Sequence, residues 1–255
     1  MTTQIVTVPC LEDNYAYIIY DKTDGKTCLV DAPESEPIIS CLEQRGWGLD
    51  KIFLTHHHSD HIAGLENILS HFPARVFGAS ADAKRLPPLN EGLKQNDKFY
   101  LGQNEFSILE VYGHTIGHIA LYSKELSVVF SGDSLMTLGC GRLFEGTPQV
   151  LWETLQKFIQ LPPETEIYCG HEYGEKNAKF AISIDPDNKK LQDRFLEIKE
   201  KRKNNIPTVP STIKNEIETN PFLRVNCPEF KRSLKMEGHE DHLILGNLRK
   251  RRDTF

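Results

Sequence analysis

The chain has 255 residues, of which 39% are hydrophobic and 26% are charged. These values are typical of a globular protein and predict one large domain, or a main domain with a smaller partner. No apolar run is long enough to cross a bilayer, so we expect no membrane segment. The formal net charge is -6, which argues against nucleic acid as a partner of the whole chain.

Six cysteines are scattered along the chain without close pairing. The first residues lack the basic and apolar regions of a signal peptide. We therefore expect reduced thiols that mainly fill the core, and a cytoplasmic location.

The first part of the chain alternates between strand-like and helix-like segments. Strands are predicted at residues 5–8, 15–20, 27–30, 52–54 and 75–77. Asp24-Gly25 is predicted to form a hairpin turn. Ser35 is predicted to cap a helix that ends at Gly46 or Gly48, and a second helix is predicted at about residues 61–70.

The next part of the chain carries further strands, and its end is helical. Strands are predicted at residues 98–101, 106–112, 119–123, 127–130 and 166–169. A helix is predicted to open at Thr147-Pro148, because threonine can cap it and proline fits the first helical position. Asp185-Pro186 repeats this signal. Strand character is lost after residue 169, so we predict a first domain at 1–172 and a second, helical domain at 173–255.

The densest group of metal-binding side chains lies in the segment from Thr55 to His61, directly after an apolar strand. In extended backbone, His56, His58 and Asp60 share one side, and His61 follows at the start of a helix. Imidazole and carboxylate together suit zinc, iron or manganese rather than calcium. The alternative is a histidine-rich surface turn, which would not need Asp60 at this spacing. The backbone between these four ligands is too short for one ion, which predicts two neighbouring ions.

Three predicted strands end in a glycine that precedes another metal-binding residue. The pairs are Gly113-His114, Gly132-Asp133 and Gly170-His171. Glycine lets the backbone turn sharply at the end of a strand, and neighbouring strand ends gather such residues at one sheet edge. The predicted first site contains His56, His58 and His114, the second contains Asp60, His61 and His171, and Asp133 bridges the two ions.

The segment from Thr55 to His61 matches the T-H-x-H-x-D-H motif of the metallo-β-lactamase superfamily, and His114, Asp133 and His171 match its remaining ligands. The chain resembles this superfamily over roughly its first two-thirds. The resemblance implies an α+β fold, an αββα sandwich with the metals at one sheet edge. It does not choose a substrate, because the superfamily hosts several activities.

Other stretches resemble the glyoxalase II family over essentially the whole chain, including the smaller helical domain. They are Asp13-Asn14-Tyr15, residues 140–147 and 170–173, Asn220-Pro221-Phe222-Leu223-Arg224 and residues 249–255. This resemblance implies hydrolysis of S-(2-hydroxyacyl)glutathione, typically S-D-lactoylglutathione, to glutathione and D-lactate in methylglyoxal detoxification. It also implies two divalent ions per chain, with zinc preferred over iron or manganese, and a metal-held hydroxide as the nucleophile.

The same resemblance implies the residues that bind substrate. Arg249 and Arg252 would hold the carboxylate of glutathione's glycine, Tyr173 would hydrogen-bond its cysteine backbone, and Arg142 would lie along the same groove. Many relatives have lysine in place of Arg142 and Arg252; arginine keeps the charge but changes the donor geometry. Some relatives have tyrosine where this chain has Phe144, so a hydroxyl contact to the peptide would be missing here. The alternatives are a solvated basic tail, packing of Tyr173 at the domain boundary, and a surface ion pair for Arg142.

The catalytic residues are expected to be Asp60 and Asp133, and the protein is expected to act as a monomer on a small-molecule glutathione thioester. The histidines interpreted as surface or structural residues are His57, His71, His118, His239 and His242. Cys140 and Cys169 are interpreted as packing residues. The rival function is a glutathione persulfide dioxygenase with one iron on the same fold, which counting the metals per chain would distinguish.

Overall fold

The computed structural model of the protein describes residues 3–255. The first of two six-stranded sheets has the order β1-β2-β3-β4-β5-β6. Its strands are β1 (Thr3–Cys10), β2 (Asn14–Asp21), β3 (Lys26–Val30), β4 (Lys51–Phe53), β5 (Arg75–Ala79) and β6 (Glu91–Leu93). The sheet is mixed, since β1, β2 and β3 pair antiparallel whereas β3 to β6 pair parallel.

The second six-stranded sheet has the order β14-β13-β10-β9-β8-β7. Its strands are β7 (Lys98–Leu101), β8 (Asn104–Glu110), β9 (Ile119–Ser123), β10 (Val128–Gly132), β13 (Glu166–Cys169) and β14 (Ser211–Thr212). A small hairpin is formed by β11 (Leu135–Met136) and β12 (Gly139–Cys140). The short strand β14 lies beyond the last strand predicted from the sequence, so the region after residue 173 is not purely helical.

Helices occupy the connections between strands and most of the C-terminal region. They are α1 (Ser35–Arg45), α2 (Ser59–Ile62), α3 (Leu65–His71), α4 (Pro148–Ile159), α5 (Gly174–Ile184), α6 (Lys189–Lys203), α7 (Ile213–Thr219), α8 (Pro228–Ser233) and α9 (Asp241–Asp253), with a 3-10 turn at Ser80–Asp82. The predicted α+β class with a helical C-terminal region is confirmed. No helix within residues 3–255 is long and apolar enough to span a membrane.

The chain divides into two compact units, each with its own apolar core. The first consists of residues up to Glu110 together with Gly117–Gly132. In its core, Ile38 and Leu42 of α1 pack with Ile68 of α3, and burying a side chain of this size contributes about 1.5–3 kcal/mol. The second unit consists of Val111–Ile116 and Asp133–Phe255. The predicted domain boundary near residue 173 stays a prediction.

Two helices begin at residues other than those predicted. The first starts at Ser35 itself, with Glu34 as the N-cap and no capping bond from its side chain. The helix predicted from Asp185-Pro186 starts at Lys189, because the side-chain oxygen of Asn188 accepts a hydrogen bond from Leu191 N at 3.2 Å. By contrast, α4 begins as predicted, with Thr147 as its cap.

The helix predicted at about residues 61–70 is interrupted and forms α2 and α3. The interruption falls at Gly64, where a Cβ atom would lie 2.7 Å from Ser35 N and 2.8 Å from Glu34 C. The chain therefore needs a glycine for the close approach of two backbones. This break keeps α2 as a single short turn that follows the histidine cluster directly.

Candidate metal centre

The buried strand β4 leads into the histidine cluster, and its neighbours fix the backbone there. Phe53 O accepts a hydrogen bond from Asp31 N at 2.9 Å, and Thr55 O accepts one from Ile119 N at 3.0 Å. The backbone is still extended at His58, which is the N-cap of α2. These two bonds to neighbouring segments fix the backbone at the start of the cluster.

Four side chains of this segment face one another. His56 and His61 are fully buried, with ring centroids 4.2 Å apart, while His58 and Asp60 are partly buried. His56 Nε2 lies 3.0 Å from His58 Nδ1, and His61 Nε2 lies 3.8 Å from Asp60 Oδ2. His56 therefore lies against both His58 and His61, and His61 also lies beside Asp60.

Asp31, which is not among the predicted ligands, orients two of these imidazoles. Its carboxylate accepts hydrogen bonds from Thr55 N, Thr55 Oγ1 and His61 Nδ1, each at 2.8 Å. Because the Thr55 hydroxyl donates to Asp31, it accepts from His56 Nδ1 at 3.0 Å. Both His56 and His61 therefore carry their proton on Nδ1 and present the lone pair of Nε2, as metal-ligating histidines usually do.

Asn14 holds the carboxylate of Asp60 in a similar way. Its Nδ2 atom donates to Asp60 O at 2.9 Å and to Asp60 Oδ2 at 3.1 Å. Asn14 is buried at the start of β2. The stretch Asp13-Asn14-Tyr15 that resembles a known family thus contains a residue that orients a predicted metal ligand.

His114, Asp133 and His171 form a second set of donors around one carboxylate oxygen. Asp133 Oδ2 lies 3.4 Å from His114 Nε2 and 3.3 Å from His171 Nε2. His114 Nδ1 lies 2.9 Å from the carbonyl oxygen of Arg142, which fixes the tautomer with the proton on Nδ1. All three side chains are almost completely buried.

Glycine gives the backbone a left-handed turn before two of these three residues. Gly113 has a φ of 132° and Gly132 a φ of 50°, and they precede His114 and Asp133. A Cβ atom at Gly132 would also lie 2.6 Å from the ring of His118. The β8 strand ends at Glu110, two residues earlier than predicted, so the turn at Gly113 follows a short irregular segment.

The ligand atoms of seven side chains fall into three overlapping groups, within each of which all atoms lie within 4.8 Å of one another. The groups are His56, His58 and His114; His56, His61 and Asp133; and Asp60, His61 and His171. Zinc binds nitrogen and oxygen ligands at about 2.0–2.2 Å, so a group of this size fits one divalent ion. The donor set and its spacing fit divalent metal ions, although the part of each residue as a ligand stays a prediction.

Two of the three arginines predicted to bind substrate donate to a single aspartate, and the third donates to an asparagine. Asp253 Oδ1 accepts from Arg142 Nε and from Arg249 Nη2, each at 3.1 Å. Arg252 donates from Nε to Asn177 Oδ1 at 3.2 Å. Burial lowers the pKa of Arg252, and the positive charges of Arg249 and Arg142 lower this pKa further. Three guanidinium groups with one carboxylate leave a net positive cluster, which suits an anionic ligand.

The two aromatic residues predicted to bind substrate lie against predicted metal ligands. Phe144 is 59% exposed, and its ring centroid lies 5.3 Å from that of His114. Tyr173 stacks on His171, with the rings 4.6 Å apart and 5° from parallel. Arg249, by contrast, is only 8% exposed and donates from Nη1 to Cys140 O at 2.6 Å.

Two histidines that were not assigned as ligands have structural contacts next to the cluster. His118 is fully buried, and its ring stacks on that of His56 at 4.6 Å. His57 Nδ1 lies 2.8 Å from Oδ2 of the buried Asp82. Neither belongs to the three ligand groups found among the described residues.

The two cysteines near the site are buried thiols. Burial raises the pKa of Cys140 to about 11 and that of Cys169 to about 12. Both thiols therefore stay protonated at neutral pH, whereas the form that binds metal is the thiolate. This fits their interpretation as packing residues.

Comparison with known proteins covers the whole chain. Residues 12–171 match the family model described as metallo-beta-lactamase superfamily, and residues 172–255 match hydroxyacylglutathione hydrolase C-terminus. A hydroxyacylglutathione hydrolase of Ruegeria pomeroyi is 50% identical over 255 residues, which is 100% of both chains.

Solved structures share the fold at much lower identity. The BLEG-1 B3 metallo-beta-lactamase matches with a TM-score of 0.67 and 22% identity, over 86% of this chain and 99% of its own. The protein ETHE1 of Myxococcus xanthus matches with a TM-score of 0.66 and 21% identity, over 98% of this chain and 90% of its own. At these identities the two structures show the fold alone.

Fold and grouped imidazole and carboxylate donors together define a metal-dependent hydrolase of the metallo-β-lactamase superfamily. The Ruegeria pomeroyi relative, which is similar over the whole of both chains, indicates one family within this class. The chain belongs to the hydroxyacylglutathione hydrolase family, or glyoxalase II. The resemblance predicted from the sequence is therefore confirmed for both the superfamily and the family.

Proposed function

We propose that this protein hydrolyses the thioester of S-(2-hydroxyacyl)glutathione, typically S-D-lactoylglutathione, and releases glutathione and a 2-hydroxy acid. The observation that carries the proposal is the set of three overlapping ligand groups, in which His56 belongs to the first two groups and His61 to the last two. Full-length similarity to hydroxyacylglutathione hydrolases supports the substrate. No observation favours the rival persulfide dioxygenase.

We assign two divalent ions to seven ligands, as the sequence predicts. The pair His56 with His58 and the pair Asp60 with His61 fall in different ligand groups, which supports a division between two ions. Asp133 groups with one histidine from each pair, which supports a bridging carboxylate. When bound, the ions would lower the pKa of a water molecule to about 7 and polarise the thioester carbonyl. We propose zinc as the metal, with iron and manganese as alternatives.

The protein's own residues orient this chemistry. Hydrogen bonds from Nδ1 to Thr55 and Asp31 present Nε2 of His56 and His61, and Asn14 fixes Asp60. The site needs no general acid, because thiolate is a good leaving group. The roles proposed for Asp60 and Asp133 are to hold the ions and to accept hydrogen bonds from the attacking water.

The positive cluster is proposed to bind the glutathione part of the substrate. Arg142 and Arg252 are partly or largely exposed and carry charge in excess of Asp253. Arg249 is proposed to take part in the same carboxylate binding, although it is held by Cys140 O and Asp253. Tyr173 and Phe144 would line the path between this cluster and the metals. We further propose that the protein acts as a monomer in the cytoplasm.

The test is steady-state hydrolysis of S-D-lactoylglutathione, followed by the loss of thioester absorbance, with elemental analysis of the same sample. We expect turnover with two divalent ions per chain, and no turnover after a chelator has removed them. Readdition of zinc should restore the rate. One iron per chain, with dioxygen consumed on a glutathione persulfide, would instead establish the rival activity.

A further inference from the structure

The stretch Asn220-Pro221-Phe222-Leu223-Arg224 resembles the family, yet the proposed chemistry does not use it. It directly follows helix α7, and both Asn220 and Phe222 are fully buried. On the same helix lies Glu216, a carboxylate that is also fully buried. Buried charged and amide groups are retained only with many hydrogen bonds, so their partners show what they hold in place.

Glu216 uses both of its oxygens. Oε1 is bonded by the Arg194 guanidinium and accepts from Ser211 Oγ at 2.6 Å. Oε2 accepts from Leu138 N and from Asn220 Nδ2, each at 2.9 Å. One oxygen is therefore engaged with the helical region, and the other with the turn between β11 and β12. These four donors together offset the free-energy cost of removing the carboxylate charge from water.

Asn220 completes the hold on the same turn. Its Nδ2 atom also donates to Gly139 O at 3.0 Å, while its Oδ1 accepts from Phe222 N at 3.0 Å. Between Met136 and Gly139, Leu138 has a φ of 55°. A bulky residue in the left-handed region costs about 1–2 kcal/mol, so the surrounding bonds must stabilise this turn.

The turn leads to the residue that fixes Arg249. Strand β12 ends at Cys140, whose carbonyl oxygen accepts from Arg249 Nη1 at 2.6 Å. From the other side, the ring of Phe222 lies under the Arg249 guanidinium, with 5.2 Å between Cζ and the ring centroid. The Arg249 guanidinium therefore lies between Cys140 O and the ring of Phe222. Glu216 and Asn220 fix the turn that leads to Cys140, and Asn220 also fixes the backbone of Phe222.

We propose that Glu216, Asn220 and Phe222 are positioning residues for glutathione binding, which act by fixing the β11–β12 turn and the guanidinium of Arg249. This inference rests on the proposed function, in which Arg249 binds the carboxylate of glutathione. Because that carboxylate lies away from the reacting thioester, misplacing Arg249 weakens ground-state and transition-state binding alike. Such a change raises KM and leaves kcat unaltered.

The experiment compares variants of the full-length, metal-loaded protein. Asn220→Ala removes the donations from Nδ2 to Gly139 O and to Glu216 Oε2. We expect KM for S-D-lactoylglutathione to rise about tenfold, with kcat within about twofold and metal content unchanged. Phe222→Leu keeps most of the apolar volume, so this variant is expected to fold. It removes the ring under the Arg249 guanidinium, and we expect KM to rise about threefold. Calorimetry with a non-hydrolysable S-alkylglutathione should show Kd rising by the same factors.

Two controls separate positioning from stability alone. Ser211→Ala removes a bond to Glu216 on the side away from the turn, and Asn215→Ala changes an exposed residue of α7. We expect Ser211→Ala to lower Tm with KM unchanged, and Asn215→Ala to change neither. If Asn220→Ala and Phe222→Leu lower Tm and keep the wild-type KM and Kd, the positioning role is refuted. Wild-type protein that neither binds nor hydrolyses the glutathione compounds would refute the proposed function as well.

Discussion

Replacing Asp31 by asparagine tests how far the metal centre depends on a residue that is not itself in the ligand groups. Asp31 is buried and has a φ of 60°, a left-handed conformation that asparagine tolerates as well as aspartate does. The variant therefore keeps the backbone and changes the hydrogen bonding and the charge of this side chain. The carboxylate accepts three hydrogen bonds, and an amide has only one oxygen with which to accept them.

The size of the effect follows from these bonds. If the amide oxygen stays with Thr55 N, the NH2 group faces Thr55 Oγ1 and His61 Nδ1, and His61 must move its proton to Nε2, the nitrogen proposed to bind metal. If the amide is flipped, Thr55 N loses its acceptor. A buried donor without a partner costs about 1–3 kcal/mol of stability. Loss of such an orienting partner typically weakens metal binding about 10–100-fold, which is about 1.4–2.7 kcal/mol.

The assay titrates the metal-free protein with zinc in competition with a chromophoric chelator. We expect the dissociation constants of both ions to rise, because Asp31 orients His61 directly and His56 through Thr55, and each of the three ligand groups contains one or both of these histidines. Asp50→Asn is the matched control, since Asp50 accepts from Lys26 Nζ and Thr27 N without contact to the cluster. An Asp31→Asn protein that binds both ions with wild-type constants would refute the tautomer argument.

Three further predictions concern the bridge, the charge cluster and a buried thiol. Asp133→Ala should abolish tight metal binding and turnover together, measured by elemental analysis and by thioester hydrolysis, and activity retained in a metal-analysed variant would contradict the bridging role. KM should rise with ionic strength while kcat stays constant, and Arg252→Ala should flatten this dependence if the arginines attract the substrate. Burial raises the pKa of Cys28 from 9.0 to about 12, so its thiol stays protonated in the fold. The contribution of this group to the free energy of unfolding is fully present below pH 9 and falls by about 1.4 kcal/mol per pH unit as the pH rises towards 12. Urea unfolding at pH 8 and pH 10 should therefore show a smaller loss of unfolding free energy for Cys28→Ala than for wild type or Cys227→Ala.

The sequence was informative about the histidine cluster because alternation and chain length act locally. It was also informative about strands and most helices, since their apolar patterns are regular. The break between α2 and α3 was not predictable, because Gly64 is needed for contact with the distant backbone of Glu34 and Ser35. A glycine in a helical pattern signals such a contact only after the partner segment is known.

Asp31 could have been found with the rule that identified Asp133. It follows β3 directly, as Asp133 follows β10, and the pairing of Val30 with Phe53 places it beside the start of the cluster. Glycine precedes each of the three strand-end ligands, whereas valine precedes Asp31. By contrast, no local pattern relates Glu216 to Leu138, because 78 residues separate them and only the folded chain brings them together.

The polar contacts of the first unit bear on how metal affinity is achieved. Ring stacking can hold a histidine ring in place, as His118 does for His56, but it does not choose which nitrogen carries the proton. The acceptors Thr55 and Asp31 make that choice for His56 and His61 before metal binds. The binding energy of the ion is then not spent on moving a proton or turning a ring. An isosteric change at Asp31 should therefore weaken metal binding more than a packing change at His118. The same zinc titration, applied to a variant of each residue, compares the two dissociation constants directly.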